Sequence, residues 1–348
     1  FHPTHPFWQV PGAEIGTACS AAMLNGEMIE SKNKLRLFPL YAGQSKERLS
    51  YPQAARWLLS VNGFDDTSLK PKEKNLPSIS VGWLGSLGYI QALGNNLYET
   101  LMLNLTLLKD GREYWSENRP CWELETPRSA ERTKIPCPDD PAQLLTLQSR
   151  RLLLHRTEGM VDGYFALGGD FFSKENAFAE QMTVWRNAAK KNEPAVFVPC
   201  RHDPARQFWR EFPAVFCQDS GHRPGVVRWT EKLQEQRLGI LDSRRKVHFR
   251  IVGVLYATQN HIEDIFSDSL TFQAGLLDEL SCKWQERIVR EINNCEKAAQ
   301  CVGYLAQDIA IAAGNKNENV GGSVRAQFYF AVDQPFRQWL QAIDPERD

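Results

Sequence analysis

The sequence lacks the features that mark a membrane-spanning or secreted protein. No apolar run approaches the roughly 20 residues that a membrane helix needs, and the chain does not open with a basic segment followed by an apolar one, as a signal peptide does. The eight cysteines include no Cys-x-x-Cys pair, which favours reduced thiols over a disulfide framework or a zinc ribbon. We therefore expect a cytoplasmic protein with no membrane contact.

A charge excess of one sign is also lacking. The 41 Lys and Arg are offset by 42 Asp and Glu, for a net charge of −1, which excludes a binder that is basic all over but not one with a local basic patch. Phosphate loops of the GxxxxGK[ST] kind, GxSxG and HExxH are absent. We therefore expect neither an enzyme nor a cofactor.

The 348 residues, 42% of them hydrophobic, are enough for a large core and favour two domains. Composition shifts near Gly275, so we divide the chain into a mixed α/β unit over 1–275 and a helical unit over 276–348. The sequence begins at Phe1 without Met, and a helical tail stops at Asp348. We expect segments of a longer natural chain to be missing at the ends.

Residues 247–273 predict a long β-hairpin. The first half is rich in β-branched and aromatic residues, and the return alternates Phe266, Leu270 and Phe272 with small polar residues. Between them, residues 257–261 contain neither Gly nor Pro, which predicts an open polar loop. An ordinary solvated turn remains the alternative to a functional tip.

Two helices are predicted in the first third of the chain. One covers 51–61, with Pro52 in its first turn and Asn62-Gly63 as its stop. The other covers 97–109, capped by Asn96, and its leucines at 97, 101, 105 and 108 form an apolar stripe that we assign to the core.

Further helices are predicted over 140–155 and 205–216, and a strand over 160–167. Arg150 and Arg151 fall in the first of these helices and Arg156 directly follows it; all three are expected on a solvated face. Between the first two helices of the chain, Gly82 to Gly88 holds three glycines in seven residues, which implies that the backbone closely approaches something, either its own domain or a ligand. Lys70, Lys72 and Lys74 precede it.

Cys200, His202, Cys217 and His222 are the only zinc-like grouping in the sequence. Their spacings match no common finger, and a predicted helix separates the two halves. A metal-dependent or cysteine hydrolase that uses these four residues is the alternative function to be tested.

The C-terminal part predicts two long helices, over 276–313 and 324–343, joined by a polar turn. Pro335 marks a kink or a break in the second. Such an antiparallel pair needs further helices or a partner protein to bury its remaining apolar face.

Several segments together resemble the CasA family, the large subunit of the type I-E CRISPR surveillance complex Cascade. They are His5-Pro6-Phe7, Gly82-Trp83-Leu84-Gly85, the run GNNLYETL at 94–101, Asn118-Arg119-Pro120-Cys121-Trp122, Phe208-Trp209-Arg210, the hairpin from Gly253 to Phe272, and PFRQWLQAIDP at 335–345. The resemblance runs through most of the chain. It implies an α+β fold, with a large mixed α/β globular N-terminal domain followed by a C-terminal four-helix bundle that is only partly present here.

The resemblance also implies a function. The family's large subunit is not an enzyme; it reads the protospacer-adjacent motif on double-stranded DNA, helps to open the duplex for guide-RNA pairing and recruits the helicase-nuclease. The implied partners are the guide RNA, the other Cascade subunits, target DNA and that effector.

Site residues carry over by position. Gln259 matches the family's glutamine wedge, and Asn260 is its neighbour. A glycine loop at the minor groove implies Gly82 and Gly85, with Lys72 and Lys74 before them. A motif-contacting lysine is expected near Lys174, although Asn176 aligns more closely. The segment 31–48, with Arg36 and Phe38, matches the loop that docks on the guide-RNA handle. The zinc-binding cysteines of some relatives are missing, so no metal is expected.

Overall fold

The computed structural model describes residues 2, 5–25, 46–65, 76–109, 113–114, 119–124, 128–217, 222–234, 239–257, 262–315 and 319–347; for 108–109 and 113–114 it describes the backbone alone. Helices and strands mix along the chain before two long helices close it, as expected for an α+β fold.

The described residues form eight α-helices and ten β-strands. The helices are α1 Ala21–Leu24, α2 Tyr51–Phe64, α3 Leu97–Asn104, α4 Pro141–Leu145, α5 Phe212–Phe216, α6 Gly225–Lys232, α7 Cys282–Ala312 and α8 Val320–Ala342. The strands are β1 Thr17–Ser20, β2 Tyr89–Leu93, β3 Leu108–Lys109, β4 Glu113–Tyr114, β5 Arg150–Thr157, β6 Met160–Gly168, β7 Trp185–Asn187, β8 Phe197–Pro199, β9 Lys246–Tyr256 and β10 Ile262–Gln273.

The predicted hairpin is confirmed as β9 and β10, which pair antiparallel from Lys246 opposite Gln273 to Tyr256 opposite Ile262. Its inward side chains, among them Phe249 and Phe272, are fully buried. The sequence did not predict β2, which pairs with β9 and makes a three-stranded sheet in the order β10-β9-β2. A second sheet has the order β1-β6-β5.

The helix predicted over 140–155 is present only as the five-residue helix α4, and the rest of the prediction is wrong. Asp140 caps α4 by accepting a hydrogen bond from the Gln143 amide at 2.8 Å, but the chain then enters strand β5, which pairs with β6 along its length. Local leucine spacing allowed either structure, and pairing with a neighbouring strand decided for β. The strand predicted over 160–167 is confirmed as β6.

Arg150 and Arg151 are buried, contrary to the solvated face expected for them, whereas Arg156 is exposed. Arg151 forms a salt bridge with Asp170, which is equally buried, and its Nε donates to the Ser129 carbonyl oxygen at 2.8 Å. Arg150 donates to the Asp65 carboxylate at 2.8 Å. Buried guanidinium groups require such partners, so both arginines tie loops to the β1-β6-β5 sheet.

Helix α2 runs past the predicted stop at Asn62-Gly63. Its N-terminus has a capping box in which the Ser50 amide donates to the Gln53 side chain at 2.9 Å. Asn62 is buried, and its Oδ1 accepts a hydrogen bond from the Arg150 amide at 3.3 Å. Asn62 therefore joins the helix to β5 instead of ending it.

Helix α3 is shorter than predicted, and its apolar stripe is not core. The helix ends at Asn104, whose side chain donates to the Ala92 carbonyl at 2.6 Å and accepts from the Ala92 amide at 3.0 Å. These bonds extend the edge of β2 and stop the helix there. Leu97, Leu101 and Leu105 are exposed to solvent.

The helix predicted over 205–216 is a 3₁₀ turn, Phe208–Glu211, followed by α5. The helix predicted from 276 begins at Cys282, after two 3₁₀ turns, and Leu280 is exposed. A kink or a break was predicted at Pro335; helix α8 continues through this residue, so there is no break.

Helices α7 and α8 pack on each other and on the hairpin sheet. Ile288, Ile292, Phe336 and Leu340 share one hydrophobic cluster with Phe249 and Phe272 of the hairpin. At the edge of this cluster, Arg337 of α8 donates to Asp268 of β10 at 2.8 Å. The domain division near Gly275 stays a prediction.

Candidate nucleic-acid interface

Tyr256, the last residue of β9, anchors the root of the hairpin tip. Its hydroxyl donates a hydrogen bond to the Phe64 carbonyl oxygen at 2.7 Å. Phe64 ends α2. The end of α2 and the end of β9 are therefore in direct contact. Lys72, Lys74, Gln259 and Asn260 themselves lie outside the described residues, as do Arg36 and Phe38.

The glycine-rich turn packs against the same anchor. A Cβ on Gly85 would lie 2.0 Å from the Tyr256 hydroxyl oxygen, and a Cβ on Gly82 would lie 2.4 Å from the Gly63 carbonyl oxygen. Both glycines are buried. The close approach that the glycine density implied is thus made to the chain itself, at the end of α2 and at the hairpin root.

Lys174 lies beside this turn. Its Nζ donates to the Ser86 hydroxyl oxygen at 2.9 Å and sits 5.9 Å from the centre of the Trp83 ring. Burial, and secondarily the charge of Arg201, lowers the pKa of Lys174 to about 8. The ammonium group is therefore less strongly held in its charged form than that of an ordinary surface lysine.

Trp83 is in turn held by a buried acid. Its indole nitrogen donates to Glu180 Oε2 at 3.0 Å, and Glu180 Oε1 accepts from the Met182 amide at 2.9 Å. Burial raises the pKa of Glu180. Glu180 thus orients the ring over which the lysine lies.

Arg201 is a residue that the sequence did not single out. It is exposed, its guanidinium carbon lies 4.9 Å from the centre of the Tyr256 ring, and it makes no salt bridge to a described carboxylate. Stacking on an aromatic ring orients a guanidinium group without using up its hydrogen-bond donors. Arg201 follows strand β8 in a loop, and no sequence pattern distinguishes it from other loop arginines.

Asn176, the alternative position for a motif-contacting residue, has a structural role. It adopts a left-handed backbone conformation with φ of 52°. Its side-chain oxygen accepts from the Phe197 amide at 2.9 Å, and its own amide donates to the Phe197 carbonyl at 2.7 Å. Lys174 is therefore the better placed of the two to meet a ligand.

The Cys and His grouping is not assembled. Among the described residues, which include all four, no group of three or more His, Cys, Asp or Glu side chains could hold a metal ion. His202 lies 3.1 Å from the Tyr89 carbonyl oxygen, and His222 stacks on Phe178 at 4.0 Å. Burial raises the pKa of the Cys200 thiol, which disfavours the nucleophilic thiolate. The hydrolase alternative gains no support.

The described part of the chain also lacks a helix with the length and hydrophobicity that a membrane crossing requires. All eight cysteines fall within it, and none forms a disulfide.

Comparison with known proteins identifies the family. The family model described as CRISPR-associated protein Cse1 matches residues 1–348. The chain belongs to the Cse1 family. A CasA/Cse1 protein of Thermus thermophilus is 25% identical over 366 residues, covering 99% of this chain and 69% of that protein.

Solved Cse1 structures share the fold. The crystal structure of Thermobifida fusca Cse1 is 30% identical, has a TM-score of 0.79 and covers 100% of this chain and 68% of that one. A chain of a structure described as a CRISPR RNA-guided surveillance complex is 19% identical, with a TM-score of 0.66, and covers 98% of this chain and 68% of its own length. At that identity the likeness concerns the fold alone.

Proposed function

We propose that this Cse1-family chain is the non-catalytic large subunit of a Cascade ribonucleoprotein. In this role it recognises the protospacer-adjacent motif on double-stranded DNA, helps to open the duplex for guide-RNA pairing and recruits the helicase-nuclease. Its partners are the guide RNA, the other Cascade subunits, target DNA and that effector, in the cytoplasm. Family membership supports the assembly. The observation that carries the DNA-reading role is that the end of α2, the glycine-rich turn and the root of the hairpin meet at Tyr256.

The proposed wedge is the tip of the hairpin. Gln259 and Asn260 fall in the sequence between β9 and β10, and the root of this strand pair is tied to α2 and to the glycine-rich turn. Opening one DNA step costs about 1.4 kcal/mol of stacking, and one good set of hydrogen bonds to a base contributes about 1–3 kcal/mol. One or two side chains of the tip therefore suffice for the first step.

Cations around the hairpin root would hold the DNA backbone. We assign Lys174 and Arg201 to phosphate contacts, together with Lys72 and Lys74. Gly82 and Gly85 are buried, so their proposed contribution is to let the turn pack against Tyr256 and so position Lys174. With a net charge of −1, the chain by itself should bind DNA weakly and in a strongly salt-dependent way. Arg36 and Phe38 are proposed to dock the chain on the guide-RNA handle.

Binding of duplex DNA to the assembled complex tests this proposal. The complex with wild-type chain should bind motif-bearing duplex, and the complex without the chain should not. The double variant Gln259→Ala/Asn260→Ala should bind intact duplex about 5- to 150-fold more weakly, the equivalent of about 1–3 kcal/mol. A bubble next to the motif removes the opening cost, so the deficit should shrink on bubbled DNA.

The control is Glu14→Ala at an exposed position of the 3₁₀ turn Ala13–Ile15, which should bind both substrates as wild type does. If wild type and the double variant bind intact duplex equally well, the hairpin tip is an ordinary solvated turn and not a wedge.

A further inference from the structure

Helix α3 turns its apolar side toward solvent. Leu97, Tyr98, Leu101, Met102 and Leu105 are each between 40% and 74% exposed, and no residue of the helix is buried. Their spacing of one and four residues places them along one side of the helix. We call these five residues the α3 stripe. A stripe with core spacing that the fold leaves uncovered marks an interaction surface.

The helix is held in this orientation from its other side. Asn104 is hydrogen-bonded to both backbone groups of Ala92, and Leu103 packs against the main hydrophobic cluster. The Trp229 indole nitrogen donates to the Met102 carbonyl oxygen at 3.2 Å, and Arg245 forms a salt bridge with Glu99 at 2.5 Å. The stripe is therefore presented to solvent by specific contacts on the opposite face.

The charge of the surface decides against a nucleic acid. Between residues 97 and 107 the only charged residue is Glu99, and Arg245 already pairs with it. A phosphate backbone requires cations, and this stripe supplies none. Its partner must present apolar protein surface.

The size of the surface decides between a second copy and a different protein. Four of the five partly exposed side chains lie on a helix of eight residues and the fifth, Leu105, directly follows it. This is a smaller surface than the roughly 800 Å² that each side of a stable two-protein interface buries. The stripe is too small to hold a second copy by itself. It is sufficient as one contact of a subunit that RNA and other contacts already keep at high effective concentration.

We propose that the α3 stripe is a docking surface for an apolar patch on another protein subunit of the RNA-guided complex. This inference rests on the proposed function and adds the surface through which the chain joins the assembly. The α3 stripe lies within and directly after the run GNNLYETL, a segment of the family resemblance to which the DNA-reading role assigns no part.

The test compares Leu97→Gln/Leu101→Gln with Ile15→Gln. Gln is a good helix former, and both leucines are exposed, so the double variant should melt as wild type does. Ile15 is 73% exposed and lies in the 3₁₀ turn Ala13–Ile15, outside the α3 stripe. Each protein is titrated into the guide-RNA complex that lacks this chain, and the dissociation constant is measured.

The dissociation constant of the double variant should be at least tenfold larger than that of wild type, and the dissociation constant of Ile15→Gln should equal that of wild type. Backbone amides of 97–105 should exchange more slowly in the wild-type complex than in the chain alone. The chain alone should sediment as a monomer.

Three results would overturn the inference. Unchanged affinity of the double variant would remove the α3 stripe from the interface. A wild-type dimer that the double variant abolishes would assign the α3 stripe to a second copy. Failure of the wild-type chain to join any guide-RNA complex would overturn the proposed function, and with it this inference, before the variants are compared.

Discussion

The hydroxyl of Tyr256 donates a hydrogen bond of 2.7 Å to the carbonyl oxygen of Phe64, 192 residues away in sequence. This bond joins the root of the hairpin tip to the end of α2. A backbone carbonyl at a helix C-terminus has no intrahelical partner, so the tyrosine satisfies it and at the same time fixes where the hairpin leaves the body of the protein.

Tyr256 and Gly85 should behave as one unit. Tyr256→Phe should cost about 0.5–1.5 kcal/mol of stability through the lost hydrogen bond. Gly85→Ala should cost about 1–3 kcal/mol, because its Cβ would meet the tyrosine oxygen at 2.0 Å. With the oxygen gone, part of that clash disappears, so the double variant should lose less than the sum of the two. Denaturant unfolding measures all three. Strict additivity would contradict the contact.

Lys174 should make DNA binding depend on pH. Its pKa of about 8 means that the ammonium form dominates below pH 8 and is lost as pH rises through that value. Binding by the assembled complex should therefore weaken between pH 7 and pH 9. The plot of log affinity against log salt should become shallower, with the magnitude of its slope smaller by about 0.9 at pH 9 than at pH 7, as expected for one lost phosphate contact.

Lys174→Arg isolates this effect, because arginine stays charged over the whole range. This variant should bind with the same salt slope at pH 7 and pH 9. A wild-type slope that does not change with pH would remove Lys174 from the DNA contacts.

The salt bridge between Arg151 and Asp170 should be critical for stability. Both side chains are buried, and removing one member of such a pair leaves an uncompensated charge, at a cost of about 3–5 kcal/mol. Asp170→Ala should therefore lower the unfolding free energy by that amount, because it leaves the buried Arg151 guanidinium without a carboxylate. Arg151→Ala should cost less, because Arg128 Nε still lies 3.5 Å from Asp170 Oδ2. Arg156→Ala, at an exposed position of the same strand, should stay within about 0.5 kcal/mol of wild type. Chemical denaturation measures these differences, and an Asp170→Ala variant as stable as wild type would contradict the prediction.

Charge reversal on α7 should weaken contacts with protein partners but should not change which DNA motif the complex prefers. Arg287 and Arg290 are exposed on this helix, and we expect the helical pair to face a protein. Arg287→Glu or Arg290→Glu should perturb assembly or the handling of the target strand. Binding to a panel of duplexes that differ only in the motif should keep its rank order. An altered order would place this helix at the DNA instead.

Several elements could be predicted because their signals are local. The alternation of Phe266, Leu270 and Phe272 with polar residues is a property of one strand and needs no knowledge of its neighbours, and the hairpin formed as expected. The predicted cap at Asn96 acts within a few residues of its own position and is found in the structure. The family resemblance was likewise confirmed.

Only the tertiary structure decided how these parts meet. The leucines of α3 have the spacing of a core helix, yet hydrogen bonds from Asn104 to Ala92 hold the α3 stripe in solvent. Arg150 and Arg151 carry the charge of surface residues, yet partners from distant loops bury them. Arg201 became a candidate only through its position over Tyr256. The sequence by itself determined where the chain alternates, caps and turns, because those preferences act over a few residues; the site depends on contacts between residues far apart in the chain, which local preference does not encode.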